Sequence, residues 1–108
     1  MTTCSTHVLD AALGVPAAGL AVGLAGPDGD PLAEAVTDAD GRVRFDADLA
    51  PGTHTLTFAT GAWFAAAGRE TFHPEVRVAF AVADHPAQPH HHVALLLSPF
   101  AYTTYRGS

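Results

Sequence analysis

Lysine is absent from this chain. Its five cations are all arginine, set against eleven acidic residues and a formal net charge of −6. An acidic chain without a basic tract is a poor nucleic-acid ligand, because neutralising phosphates takes clustered cations. Cysteine occurs once, at Cys4, which excludes an internal disulfide and any cysteine-based zinc cage, so the composition does not report an oxidising compartment. No apolar run approaches the length of a membrane span, and Met1 to Ser5 lack the basic and apolar regions of a signal peptide. A soluble, cytoplasmic protein with no membrane partner is therefore expected. Charged residues make up only 15% of the chain, few for a small monomer, which hints that partner subunits cover part of the surface. Repeats and linkers are also missing, so residues 1–108 read as a single domain.

What is present is a succession of short β-patterned runs separated by Gly and Pro. Thr3 to Asp10 is rich in β-branched residues and reads as a strand, with Thr6, Val8 and Asp10 on one face and Ser5, His7 and Leu9 on the other. Leu13 to Gly19 is turn material. Leu20 to Leu24 alternates as a half-buried strand, Gly26 to Pro31 is a tight loop, and Leu32 to Thr37 should return. Asp38 to Gly41 turns into a short strand, Arg42 to Phe45, and Pro51-Gly52 turns into Thr53 to Ala59. One short helix is expected, capped by Thr60, running Gly61 to Ala67 and closed by Gly68. A strand from Glu75 to Val82, a loop from Asp84 to Pro89 and two final strands complete the chain. Seven to eight short strands with one short helix predict an all-β Greek-key β-sandwich.

Seven histidines are the conspicuous polar residues. In the run His90-His91-His92 only His90 and His92 share a strand face, and two ligands without a nearby Asp, Glu or Cys do not complete a metal cage. No metal and no cofactor is expected. His54, His73 and His85 lie beside turns or at strand ends and read as solvated.

Three separated stretches carry a family resemblance: Ser5-Thr6-His7-Val8-Leu9-Asp10, Thr37-Asp38-Ala39-Asp40-Gly41-Arg42, and the closing block from His90 to Ser108, HHHVALLLSPFAYTTYRGS. In this order they resemble the motifs of the 5-hydroxyisourate hydrolases, the transthyretin-related enzymes of purine breakdown, whose closing block usually reads HxHVPLLLSP-x-x-YSTYRGS. The resemblance implies a transthyretin-like sandwich and a homotetramer with sites at subunit interfaces. It also implies one site built from His7, Arg42, His92, Tyr105, Arg106, Gly107 and Ser108. Departures are His91 for Tyr, Ala94 for Pro, Ala101 for Gly, Thr103 for Ser, and His73 before Pro74 where Phe is common. None removes a group of that site.

The implied reaction opens the six-membered ring of 5-hydroxyisourate by hydrolysis, giving 2-oxo-4-hydroxy-4-carboxy-5-ureidoimidazoline, and the residue types suit it. Water needs a base with a pKa near the working pH, which imidazole supplies. The developing oxyanion needs a fixed cation such as arginine. The resemblance implies His7 or His92 as base, aided by Arg42, with Arg106 and Ser108 holding the substrate; which histidine is base and which is acid stays open. Cys4 matches no role in that site. Two other readings share the fold: a transthyretin-like carrier of a small aromatic ligand, and a prealbumin-like structural domain. Neither needs His7, Arg42, His92 and the polar closing residues together.

Overall fold

A computed structural model describes residues 1–108. In chain order the elements are β1 (Thr3–Asp10), β2 (Val15–Pro16), β3 (Ala21–Ala25), β4 (Pro31–Val36), β5 (Arg42–Phe45), β6 (Gly52–Phe58), α1 (Thr60–Ala66), β7 (Val76–Val82), β8 (His90–Leu97) and β9 (Tyr102–Gly107). They form two sheets. One runs β2-β1-β8-β9 with β5 also on β1, and the other runs β4-β3-β6-β7. β5 pairs with Cys4 to His7 and β2 with Leu9 and Asp10, so the two short strands share one edge of β1. The whole opposite edge of β1 pairs with β8 in parallel, the one parallel ladder of the fold. Only a connection that crosses the sandwich can bring two parallel strands together, and most of the chain lies between these two.

The core lies between the inward faces of the sheets. Val8, Leu20, Val22, Leu24, Leu56, Phe58, Leu95 and Leu97 are all buried there. Strand alternation produces this arrangement: in β1 every second residue from Cys4 to Asp10 is buried, and the residues between are half exposed. α1 is too short to stand alone. It is held by Phe64, fully buried in the core, and by the Trp63 indole N–H, which donates to the Ala18 carbonyl at 2.8 Å.

Three expectations are corrected. Val15–Pro16, read as turn, forms a two-residue ladder with β1, because Asp10 and Gly14 fold the chain back on itself. Thr60 is the first residue of α1 rather than its cap: Ala59 occupies the cap position without a side-chain bond, and the Thr60 hydroxyl donates instead to the His73 carbonyl at 3.2 Å. Gly68 does close the helix, at φ +67°, with its N–H on Ala65 and that of Arg69 on Phe64. His54 is not solvated; it is 1% exposed. The alternation of β6 turns it inward with Leu56 and Phe58, its Nδ1–H donates to the Gly52 carbonyl at 3.2 Å, and its ring lies 5.8 Å from that of Phe80. Its Nε2 is buried without a partner. His73 is half-buried between the rings of Phe72 and Tyr102, and only His85 of the three is exposed. β8 sits between β1 and β9 as an interior strand, with Val93, Leu95 and Leu97 buried in the core and Leu96 half-buried on the outer face.

The turn from Asp38 to Gly41 is sewn onto β1. The Asp38 carboxylate accepts from the backbone N–H groups of Asp40 and Arg42, and the Gly41 carbonyl accepts from Val8 at 2.8 Å. Gly41 has φ +75°, and a Cβ there would collide with the Val8 carbonyl oxygen. Gly41→Ala is therefore expected to cost about 1–3 kcal/mol of stability from backbone strain. A urea melt checks it: the midpoint should fall with the slope unchanged.

Candidate active site

Residues directly opposite one another in a ladder point to the same face of a sheet. His7 pairs with Arg42 on β5 and with Ala94 on β8; Ser5 pairs with Arg44 and His92; His92 pairs with Gly107 and Ala94 with Tyr105 on β9. One register thus presents Ser5, His7, Arg42, Arg44, His90, His92 and Tyr105 on the outer face of a single sheet. All seven residues singled out in the sequence, His7, Arg42, His92, Tyr105, Arg106, Gly107 and Ser108, line one open cleft there, together with Gln88 and Ala94. A second recess shares Arg42, His92 and Ser108 with it and adds Ser5, Asp38, Arg44 and His90.

Arg106 and Gly107 are not a free tail; they form the last rungs of the β8–β9 ladder. Arg106 starts beside Val93, on the other side of the pleat, and its Nη2 donates to the carbonyls of Gln88 at 3.1 Å and His90 at 3.3 Å. Part of its donor fork is therefore engaged by the protein. Gly107 makes room for a side chain rather than for a ligand alone: a Cβ at this position would lie 2.5 Å from His92 Cδ2. Gly107→Ala must displace the His92 ring. Because misplacement of a reacting group by about 1 Å can cost on the order of 10²-fold, the variant is expected to lose about 10–100-fold in rate with little change in melting temperature.

The electrostatics set His92 apart. Burial, and then the nearby charges of Arg42, His7 and His90, lower its pKa below that of free imidazole. His90 is lowered in the same way, by burial and then by Arg44 and His91. Both rings thus favour the neutral form, which has one nitrogen to donate and one to accept. Ser5 Oγ lies 2.7 Å from His92 Nδ1 and 2.7 Å from His90 Nε2. Cys4, on the inward face of β1, is buried, and burial pushes its thiol up to about 12, so it offers no nucleophile. No group of three or more His, Cys, Asp or Glu side chains is placed to share one metal ion.

The family model for the HIUase/Transthyretin family matches residues 4–107. The chain belongs to the HIUase/Transthyretin family. Among its relatives, a 5-hydroxyisourate hydrolase of Caulobacter vibrioides is 46% identical over the full length of both chains. One from Mus musculus is 39% identical over 96% of this chain and 93% of that protein. The structure of Klebsiella pneumoniae 5-hydroxyisourate hydrolase superposes with a TM-score of 0.89 at 43% identity, covering 100% of this chain and 94% of that one. Sea bream transthyretin in complex with thyroxine gives 0.86 at 33% identity, covering 96% and 93%. This family likeness settles the fold as a transthyretin-like β-sandwich. The backbone alone does not separate hydrolase from carrier, because the two TM-scores are nearly equal; side chains must do so.

Ser5 and His90 are not among the site residues that the family resemblance implies. Ser5 stands two residues before His7 inside a recognised motif, and His90 shares the strand face of His92. The period-two spacing was a visible signal, but only the parallel β1–β8 register puts the serine hydroxyl between the two rings.

Proposed function

We propose that this protein is a hydrolase that opens the ring of 5-hydroxyisourate, with His7, Arg42 and His92 as its catalytic groups and Tyr105, Arg106, Gly107 and Ser108 as the substrate-binding edge. The observation that carries the reading is the gathering of two imidazoles and a guanidinium on one outer sheet face, in a cleft bounded by the end of β9. The hydrolase names of the full-length relatives supply the substrate.

His92 is assigned as general base. Its Nδ1 is engaged by Ser5. That leaves Nε2 for a water, and the depressed pKa keeps the ring neutral and able to accept a proton. Arg42, opposite His7 in the ladder, stabilises the oxyanion that forms at the attacked carbonyl. The acid toward the departing ring nitrogen is then His7, or His92 itself once it carries the proton taken from the water. Following the ultraviolet absorbance of freshly made 5-hydroxyisourate tests the activity; decay at the rate of buffer alone would refute it.

The same reading includes a homotetramer with two-fold symmetry and sites at subunit interfaces. Its support is the uncovered edge strand β9, whose Tyr102 and Tyr105 are exposed, with Phe100 just before it and Leu13 and Val15 exposed at the opposite edge of that sheet. Sedimentation at micromolar concentration checks it, and a folded, active monomer would overturn it. A cytoplasmic setting belongs to this reading too.

A further inference from the structure

Two columns of side chains stand next to each other on the outer face of the β1–β8 ladder. Thr3 and Ser5 supply hydroxyls from β1, and His90 and His92 supply imidazoles from β8, with Thr3 opposite His90 and Ser5 opposite His92. The contacts form one unbroken chain. Thr3 Oγ1 lies 2.6 Å from His90 Nδ1, Ser5 Oγ lies 2.7 Å from His90 Nε2, and the same Ser5 Oγ lies 2.7 Å from His92 Nδ1. Both nitrogens of His90 are therefore engaged by hydroxyls, while His92 keeps Nε2 for the cleft.

A serine hydroxyl has one proton to give. Ser5, touching two neutral rings, can donate to only one of them and must accept from the other. The polarity of the whole chain is then set as a unit. In one direction His92 Nδ1–H donates to Ser5, Ser5 donates to His90 Nε2, and His90 Nδ1–H donates to Thr3; His92 Nε2 is then bare, as a base requires. In the other direction every proton sits one place further along, and His92 carries its proton on Nε2, as an acid requires.

We propose that Thr3, His90 and Ser5 form a proton relay that holds His92 in its base tautomer and converts it to its acid tautomer after proton uptake. The inference rests on the hydrolase reading above, with Thr3, His90 and Ser5 as positioning residues. When Nε2 takes a proton from the attacking water, the Nδ1–H bond breaks and that proton forms a new O–H bond on Ser5. The original Ser5 proton moves to His90 Nε2, the His90 Nδ1 proton moves to Thr3 Oγ1, and the original Thr3 proton leaves to solvent. No electrons change hands, His92 ends neutral, and its Nε2–H can be delivered to the departing nitrogen. As that proton is delivered, Thr3 takes a proton back from solvent and the reverse shift restores the resting chain. A persistent imidazolium would jam such a wire, and burial first, then Arg42, His7 and His90 at His92, and Arg44 and His91 at His90, disfavour one. Under this proposal His92 serves both steps, and His7 assists by binding.

The test uses the full chain labelled with ¹⁵N-histidine and read by long-range imidazole spectra without substrate. The parent should show His92 mainly as the Nδ1–H tautomer. Ser5→Ala should return it toward the Nε2–H form that a free imidazole prefers, and Ser5→Thr, which keeps a hydroxyl, should restore the parent pattern. In turnover of 5-hydroxyisourate, Ser5→Ala should lower kcat about tenfold or more with KM little changed, and should shift the acid limb of the pH profile. Thr3→Val, a change of equal shape outside the cleft, should move the His90 shifts and lower kcat by a smaller factor; it carries the test if Ser5→Ala does not fold. An unchanged His92 tautomer and pH limb in the folded variants would overturn the relay. A parent that did not accelerate 5-hydroxyisourate decay would instead sink the hydrolase reading, and the substrate-free spectra would still decide the hydrogen-bond chain.

Discussion

Replacing His92 with asparagine is expected to lower kcat/KM for 5-hydroxyisourate about 10²–10⁴-fold, the usual scale for losing a positioned acid or base, while the sandwich stays folded. The side chain is half-buried on the outer sheet face and contributes nothing to the core between the sheets. Its removal therefore costs chemistry and little stability, and unchanged circular dichroism with a collapsed rate is the expected pair of results. His7→Asn and Arg42→Ala should each lose most activity as well. The pH profile adds a check with a definite sign. Burial, then the charges of Arg42, His7 and His90, hold the His92 pKa below the ordinary histidine value. The acid limb of the parent's kcat/KM should therefore fall below about pH 6.5. In the residual activity of Arg42→Ala that limb should move upward, because a cation that opposed protonation is gone. Near-parental rates in all three variants would show that the cleft is not the site of reaction.

Arg69→Met, away from the cleft, is expected to cost about 3–5 kcal/mol, because it strands a buried carboxylate. Asp10 ends β1 and is 1% exposed; its Oδ2 meets Arg69 Nη1 at 2.6 Å. Its Oδ1 accepts from the backbone N–H groups of Ala12 and Leu13, each at 3.1 Å. The Arg69 guanidinium also lies 4.8 Å from the centre of the Phe64 ring, so the pair ties the first strand to the end of α1. Burial works to raise the Asp10 pKa, but the hydrogen bond from Arg69, the Leu13 N–H, the Arg69 charge and the Ala12 N–H together bring it below the ordinary aspartate value. A depressed carboxylate pKa contributes stability that is present above the unfolded value, about 3.9, and is lost as pH falls through the folded value. The parent should therefore lose this increment only in acid, below about pH 4. Arg69→Met should be destabilised already at neutral pH and depend less steeply on acid. Chemical melts at pH 7 and pH 3 measure both, and a neutral-pH midpoint equal to the parent's would show that the pair contributes nothing.

Much of this protein was legible in the residue order. Period-two alternation located the long strands, since a β-strand with one buried face must repeat every two residues, and β1 and β5 fall where Thr3 to Asp10 and Arg42 to Phe45 predicted. Gly68 closes the helix and Gly41 sits in the turn where the sequence placed them, and both take positive φ, a local backbone property. The three motifs named the residues that line the cleft, because a family's site residues are carried by the chain whatever its path.

What escaped the sequence depends on which strands become neighbours. Alternation shows that His54 shares a face with Leu56 and Phe58, yet only the second sheet packed over that face makes it an interior histidine. An apolar run such as Val93 to Leu97 does not say which strands flank it; the tertiary structure pairs β8 in parallel with β1 on one side and with β9 on the other. The contact between Asp10 and Arg69 spans 59 residues, and that between Ser5 and His92 spans 87. No local rule encodes such separations. The residue types and their strand faces are local properties, written in the sequence. The cross-strand register that sets Ser5 between His90 and His92, and folds Gly107 against the His92 ring, exists only once both sheets have closed around the core.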